Sequence, residues 1–160
     1  LIIMKSVLIL GKTGSGKTST IEEVCRRLYP TEVYKLCFDA EGYSEFAKGK
    51  YDAEKLNHHT CIIDVKGKLI LIIDKALDEK TMRLKSLLDF CTEINIDIAF
   101  LLMSETQTEQ ISETDTDPLP DTIEILASVP IDKIPVDDFI NHQEWNNRVD
   151  SIAALIEENI

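Results

Sequence analysis

Gly11-Lys12-Thr13-Gly14-Ser15-Gly16-Lys17-Thr18 is the stretch that decides how this chain folds. Its three glycines admit backbone conformations closed to other residues, so successive N–H groups can turn inward around one point. A lysine and a hydroxyl residue follow at once. If a helix begins there, its N-terminus adds partial positive charge to the same point. The spacing G-x-x-x-x-G-K-[ST] therefore describes a cradle for phosphate, in which Lys17 reaches the outer phosphates and the Thr18 hydroxyl reaches a Mg²⁺ ion.

The flanks decide between that cradle and an incidental glycine turn. Ile2–Leu10, before the motif, is a nearly continuous aliphatic run, as in a strand covered on both faces. After it, Ser19–Tyr29 places Ile21, Val24, Cys25 and Leu28 at i, i+3, i+4 and i+7, and Pro30 stops the helix. Further out, Glu32–Asp39 is a second apolar run. The polar stretch Ala40–His59 reads as surface loop with at most a short helix. Thr60–Val65 and Leu69–Asp74 flank Lys66-Gly67-Lys68, a spacing that permits a hairpin or two strands paired elsewhere. Glu79–Ile94 has helical period, Ile96–Met103 is another buried-type strand, and Ser104–Thr122 reads as loop. Ile123–Val129 is a strand candidate. A proline-marked segment then leads into a closing helix with Trp145, Val149, Ile152, Ala153 and Ile156 on one face. There is no internal repeat. Strands alternating with helices over 160 residues predict one α/β domain, residues 1–160, with a mostly parallel sheet.

Through this strand–loop–helix the chain resembles the P-loop nucleoside triphosphatases over most of its length. The glycine-rich loop is their Walker A motif. The resemblance implies a three-layer fold with a mostly parallel central sheet. It implies ATP as ligand, with Gly11, Lys12, Thr13, Gly14, Ser15, Gly16, Lys17, Thr18 and Ser19 around its phosphates and Mg²⁺ beside Thr18. Leu69-Ile70-Leu71-Ile72-Ile73-Asp74 looks like a Walker B strand, so that Asp74 holds the metal through water; the bland reading is a strand-end cap. Asp64 ends a shorter run and is the weaker candidate. Lys75 stands where many P-loop ATPases carry a glutamate. Phe38-Asp39-Ala40-Glu41 is similar to the RecA-type ATPases, which implies Glu41 as general base orienting the attacking water. The alternatives there are Asp78, Glu79, or no more than an acidic loop start. In RecA-like and packaging ATPases a polar residue after the Ile96–Met103 strand senses the γ-phosphate, which points to Thr106 or Gln107. Lys17 and Glu41 are thus the expected catalytic pair.

Four branches stay open. The first is a RecA-like or motor-related ATPase core, which often assembles into rings and acts on DNA. The second is a GTPase-like switch, against which stand the missing glycine after Asp74 and the absence of Asn-Lys-x-Asp. A small nucleoside or nucleotide kinase is the third, although Glu93–Asp132 offers no base for a lid. The last is a regulatory protein that binds nucleotide without hydrolysing it. Arg83 and Arg148 are the arginines beyond the first helix, and neither can be assigned as a finger from sequence. His58-His59 has no further ligand at metal spacing.

The charge balance bears on partners. The net charge is −12, but residues 1–85 carry +3, whereas residues 86–132 hold 11 acids and no base. Phosphate binding in the first half is therefore unopposed. Nucleic acid needs a basic footprint, so any such contact should avoid the acidic stretch or come through a partner. Cys25, Cys37, Cys61 and Cys91 lie too far apart for a zinc or redox pair and read as reduced thiols. No apolar run reaches the ~18–20 residues of a membrane span, and Leu1–Lys5 lacks a basic leader. The expectation is a cytoplasmic protein without membrane contact. A homo-oligomer or a protein partner is compatible with all of this.

Overall fold

The structure is a computed structural model, and it describes residues 4–12, 14–39, 42–49, 60–73, 84–93, 95–106 and 122–160. In chain order the elements are β1 (Met4–Gly11), α1 (Lys17–Arg27), β2 (Glu32–Asp39), β3 (Gly42–Gly49), β4 (Thr60–Val65) and β5 (Lys68–Ile73). They continue with α2 (Leu84–Glu93), β6 (Ile98–Thr106), β7 (Ile123–Pro130), a 3₁₀ turn (Phe139–Asn141) and α3 (Gln143–Glu157).

The strands form one sheet in the order β3-β2-β4-β5-β6-β1-β7. The four from β5 to β7 are mutually parallel, and β4, β2 and β3 continue the sheet antiparallel. Among the described residues, five of the seven strands, β2, β5, β6, β1 and β7, consequently run in one direction and end at one edge. That edge carries the glycine-rich loop.

Period-two alternation sends side chains to both faces of the sheet. Val7, Ile9, Ile70, Ile72, Phe100 and Leu102 pack on one face with Ile21, Val24 and Cys25 of α1 and Val149, Ile152 and Ile156 of α3. Ile62, Leu71, Ile73 and Leu101 pack on the other with Cys91 of α2. Helices on both faces of a mostly parallel sheet make the three-layer α/β fold that the alternation and the resemblance predict. α3 is held to α1 by polar bonds as well. Arg27, which also bonds Glu23 of its own helix at 3.2 Å, donates to Asp150 Oδ1 of α3 at 2.5 Å and to Asn146 Oδ1 of α3 at 2.7 Å.

Two segments differ from the sequence reading. Gly42–Gly49, expected in a loop, is the edge strand β3, paired antiparallel with β2 from Val33↔Gly49 to Asp39↔Gly42. An edge strand needs only backbone pairing along one side, so a polar sequence with no apolar run can supply it. Ser104–Thr106, expected to begin a loop, completes β6, because the parallel ladder with β1 continues to Gly11↔Thr106. Ser104 is buried there.

The permitted hairpin is realised between β4 and β5. Lys66 (φ 54°) and Gly67 (φ 81°) both take left-handed conformations, the two-residue turn whose twist suits a hairpin. Asp64 Oδ1 accepts from Gly67 N at 2.9 Å, and Asp64 O accepts from Thr31 N at 2.9 Å. β4 runs against β5, so Asp64 stands at the sheet edge away from the glycine-rich loop. It is a turn residue and no rival to Asp74.

Cys25 and Cys91 are buried free thiols. Burial pushes the Cys91 thiol up to about 11 from an ordinary 9.0. The folded chain therefore keeps a proton that the unfolded chain releases, and this contribution to stability is complete below pH 9.0 and lost as pH rises towards 11. Urea midpoints measured across that interval should fall more steeply for the natural chain than for Cys91→Val; equal slopes would show that the thiol stays neutral in neither state.

Candidate nucleotide-binding site

The site is built where β1 leaves the sheet. β1 is bonded to β6 on one side and β7 on the other, and Ile131 N donates to Leu10 O at 2.8 Å just beyond β7. Gly11 is thus fixed by three strands' worth of backbone. A Cβ at this position would lie 2.3 Å from Ser15 Oγ, 3.1 Å from Ile131 Cγ1 and 3.2 Å from Ile131 O, so only glycine fits.

From there the chain makes a tight turn, with Ser15 N donating to Lys12 O at 3.0 Å. Gly14 (φ 82°) and Gly16 (φ 93°) take left-handed conformations, and Gly16 caps α1. The turn aims the first N–H groups of α1, unpaired in any helix, back over the loop. Lys17 Nζ lies on the loop itself, donating to Gly11 O at 3.0 Å and to Lys12 O at 2.9 Å. Thr18 is exposed and Ser19 half-buried beside it. Ser15 is 6% exposed, and its Oγ has no hydrogen-bond partner. A buried hydroxyl left unbonded costs about 1–3 kcal/mol. The orphaned Ser15 hydroxyl beside the N-terminus of α1 is a donor without an acceptor, a deficit that an oxyanion makes good.

The strands that precede the other expected residues in sequence end at this same sheet edge. β5 ends at Ile73, immediately before Asp74. β2 ends at Asp39, two residues before Glu41, and β6 ends at Thr106, beside Gly11. Asp74, Glu41 and Thr13 lie outside the described residues, as do Asp78, Glu79, Gln107 and His58-His59. Thr18 is the described member of the expected metal pair, and its hydroxyl class suits a hard cation.

The loop's other flank holds residues that the sequence did not point to. A cleft of about 260 Å³ is lined by Gly14, Ser15 and Gly16 on one side and by Ile134, Val136, Phe139, Trp145 and Arg148, among others, on the other. Phe139 and Trp145 meet edge to face, centroids 5.0 Å apart at 75°. The Arg148 guanidinium lies 6.0 Å from the Trp145 ring centroid and donates through Nη2 to Asp132 O at 2.6 Å. Its Nη1 would be 3.6 Å from a Cβ on Gly16. Burial pulls the guanidinium below its ordinary value, against the raising influence of Glu144 and Asp132. It remains cationic at neutral pH. No spacing rule connects positions 139–148 with 11–16, so the sequence shows them only as a helix face.

Gly11→Ala should disable the loop. The added methyl must displace Ser15 or Ile131, and we expect a lower melting temperature together with loss of nucleotide binding, read by thermal unfolding and calorimetry. Unchanged binding would mean the loop tolerates a side chain at position 11.

Among the described residues no helix is long and apolar enough to cross a membrane. No curated protein matches the chain. The family model described as "Helicase HerA, central domain" matches residues 2–154. That match spans the sheet, the glycine-rich loop and most of α3, so this chain, a P-loop ATPase-type domain by its fold and its loop, belongs to the helicase HerA central-domain family.

Proposed function

We propose that the chain, as one domain, binds ATP with Mg²⁺ and hydrolyses it as the core of a motor-type ATPase. The observation that carries this reading is the loop itself: left-handed Gly14 and Gly16, the Lys17 ammonium held on the loop carbonyls, and the N-terminus of α1 converge on one point at the edge where five strands end. Backbone N–H groups and Lys17 bind the β- and γ-phosphates. Thr18 and Asp74 would hold the metal, which would neutralise charge on the transferring phosphoryl group when bound. Lys17 exchanges its loop carbonyls for phosphate oxygens and follows the charge onto the leaving oxygen. Glu41, two residues past the end of β2, accepts the proton of the attacking water. Thr106 or Gln107, beyond β6, reports the presence of the γ-phosphate.

The family's name is that of a helicase, which favours the motor reading over a switch, a kinase or a regulatory binder. ATP is preferred to GTP because no Asn-Lys-x-Asp is available to read guanine. Work on DNA follows from the same name. The 11 acids of residues 86–132 turn such contacts towards the basic first half, or to a second copy or a protein partner in the cytoplasm.

Two substitutions test the assignment. Lys17→Ala should remove Mg·ATP binding and turnover together; a variant that still binds and hydrolyses ATP would refute the site. Glu41→Gln should keep ATP affinity within about twofold while turnover falls by about 10²–10⁴, the usual worth of a general base. Surviving hydrolysis would pass the role to Asp78 or Glu79.

A further inference from the structure

We infer that the cleft between the P-loop and the segment 133–148 receives the base and ribose of the nucleotide, with Phe139, Trp145 and Arg148 as its binding residues. The inference rests on the proposed ATP reading and adds the part of the ligand that the P-loop cannot recognise. A triphosphate is satisfied by N–H groups and cations. Apolar walls offer it nothing, and yet this cleft opens directly off Gly14, Ser15 and Gly16 and is walled by Ile134, Val136, Phe139 and Trp145. Val136 keeps 43% of its surface exposed, an apolar side chain facing solvent beside the P-loop.

Size and shape fit one end of a nucleotide. Sites for whole ligands occupy about 300–1,000 Å³, and this cleft, about 260 Å³, takes less than that. Phe139, half-buried and backed edge to face by the buried Trp145, gives an aromatic surface for a flat heterocycle. Arg148 stands at the junction, Nη1 towards Gly16 and Nη2 fixed on Asp132 O. A nucleotide with its phosphates on the loop and its base in the cleft passes its ribose and first phosphate beside that cation. Asp137, an exposed carboxylate on the lining, accepts from an exocyclic amino group such as that of adenine. The loop and the cleft are both anchored by the β1–β7 pairing through Ile131, so their spacing is a property of the fold.

Inorganic tripolyphosphate separates the two halves of the site, since it offers phosphates without a base. Calorimetry with Mg·ATP and Mg·tripolyphosphate is compared for the natural chain, Phe139→Ala and Val136→Gln. The second variant lies at an exposed position and should fold in any case. We expect about tenfold weaker ATP binding in Phe139→Ala, a smaller loss in Val136→Gln, and tripolyphosphate affinity unchanged in both. Trp145 is the sole tryptophan of the chain, and its emission should respond to ATP and not to tripolyphosphate. Equal weakening of the two ligands, no weakening of ATP by either variant, or equal emission changes would overturn the inference while leaving the P-loop reading intact. Failure of the natural chain to bind either ligand would overturn the P-loop reading, and this inference with it.

Discussion

β1 is hydrogen-bonded along both edges, to β6 as far as Gly11↔Thr106 and to β7 as far as Leu10↔Pro130, and the backbone pairing continues past β7 through Ile131. A strand held on one side to its last residue and on the other to the residue before it has its register fixed at its end. The point at which Gly11 leaves the sheet is therefore set by the ladder. Ser15 and Ile131 occupy the space that a Cβ on Gly11 would need, so the loop turns close over the end of β1, and α1 starts where that turn delivers it. The position of the whole site follows from this one constraint.

The two flanks of β1 contribute different chemistry. On the β6 side, strands that end in polar sequence approach the loop in the order β6, β5, with β2 beyond β4. That side presents the polar end of β6, Ser104 to Thr106. On the β7 side the chain turns back over the loop and brings aliphatic and aromatic side chains with one cation. α3 is tied to α1 through Arg27 and to the loop's surroundings through Arg148. Solvated ion pairs of this kind contribute about 0–1 kcal/mol each, so their value lies in fixing geometry, and the apolar contacts of Val149, Ile152 and Ile156 hold the helix down.

Most of the fold was legible because its signals are local. The aliphatic run before Gly11, the i, i+3, i+4, i+7 pattern after Lys17 and the stop at Pro30 are each complete within a few residues. β3 was not legible: an edge strand is specified by its partner's free edge, and the polar sequence Gly42–Gly49 carries no period of its own. The end of β6 was missed for the same reason, since Ser104 is held in the strand by pairing with β1 and not by hydrophobicity. Asp64 illustrates the converse. As sequence it is a carboxylate ending an apolar run, and only the antiparallel direction of β4 places it at the edge opposite the loop.

The glycine-rich loop, its lysine and hydroxyl residues, and the α/β alternation can all be read along the chain, because eight consecutive residues contain every group that a phosphate cradle needs. The sequence also localises the acidity of the chain to residues 86–132. Tertiary structure alone decided which strands neighbour β1, which aspartate faces away, and that Phe139, Trp145 and Arg148 stand beside Gly14–Gly16. The last of those placements joins positions more than a hundred residues apart. They are set by backbone pairing and burial across the sheet, forces that leave a hydrophobic pattern in the sequence but do not record which patterns meet.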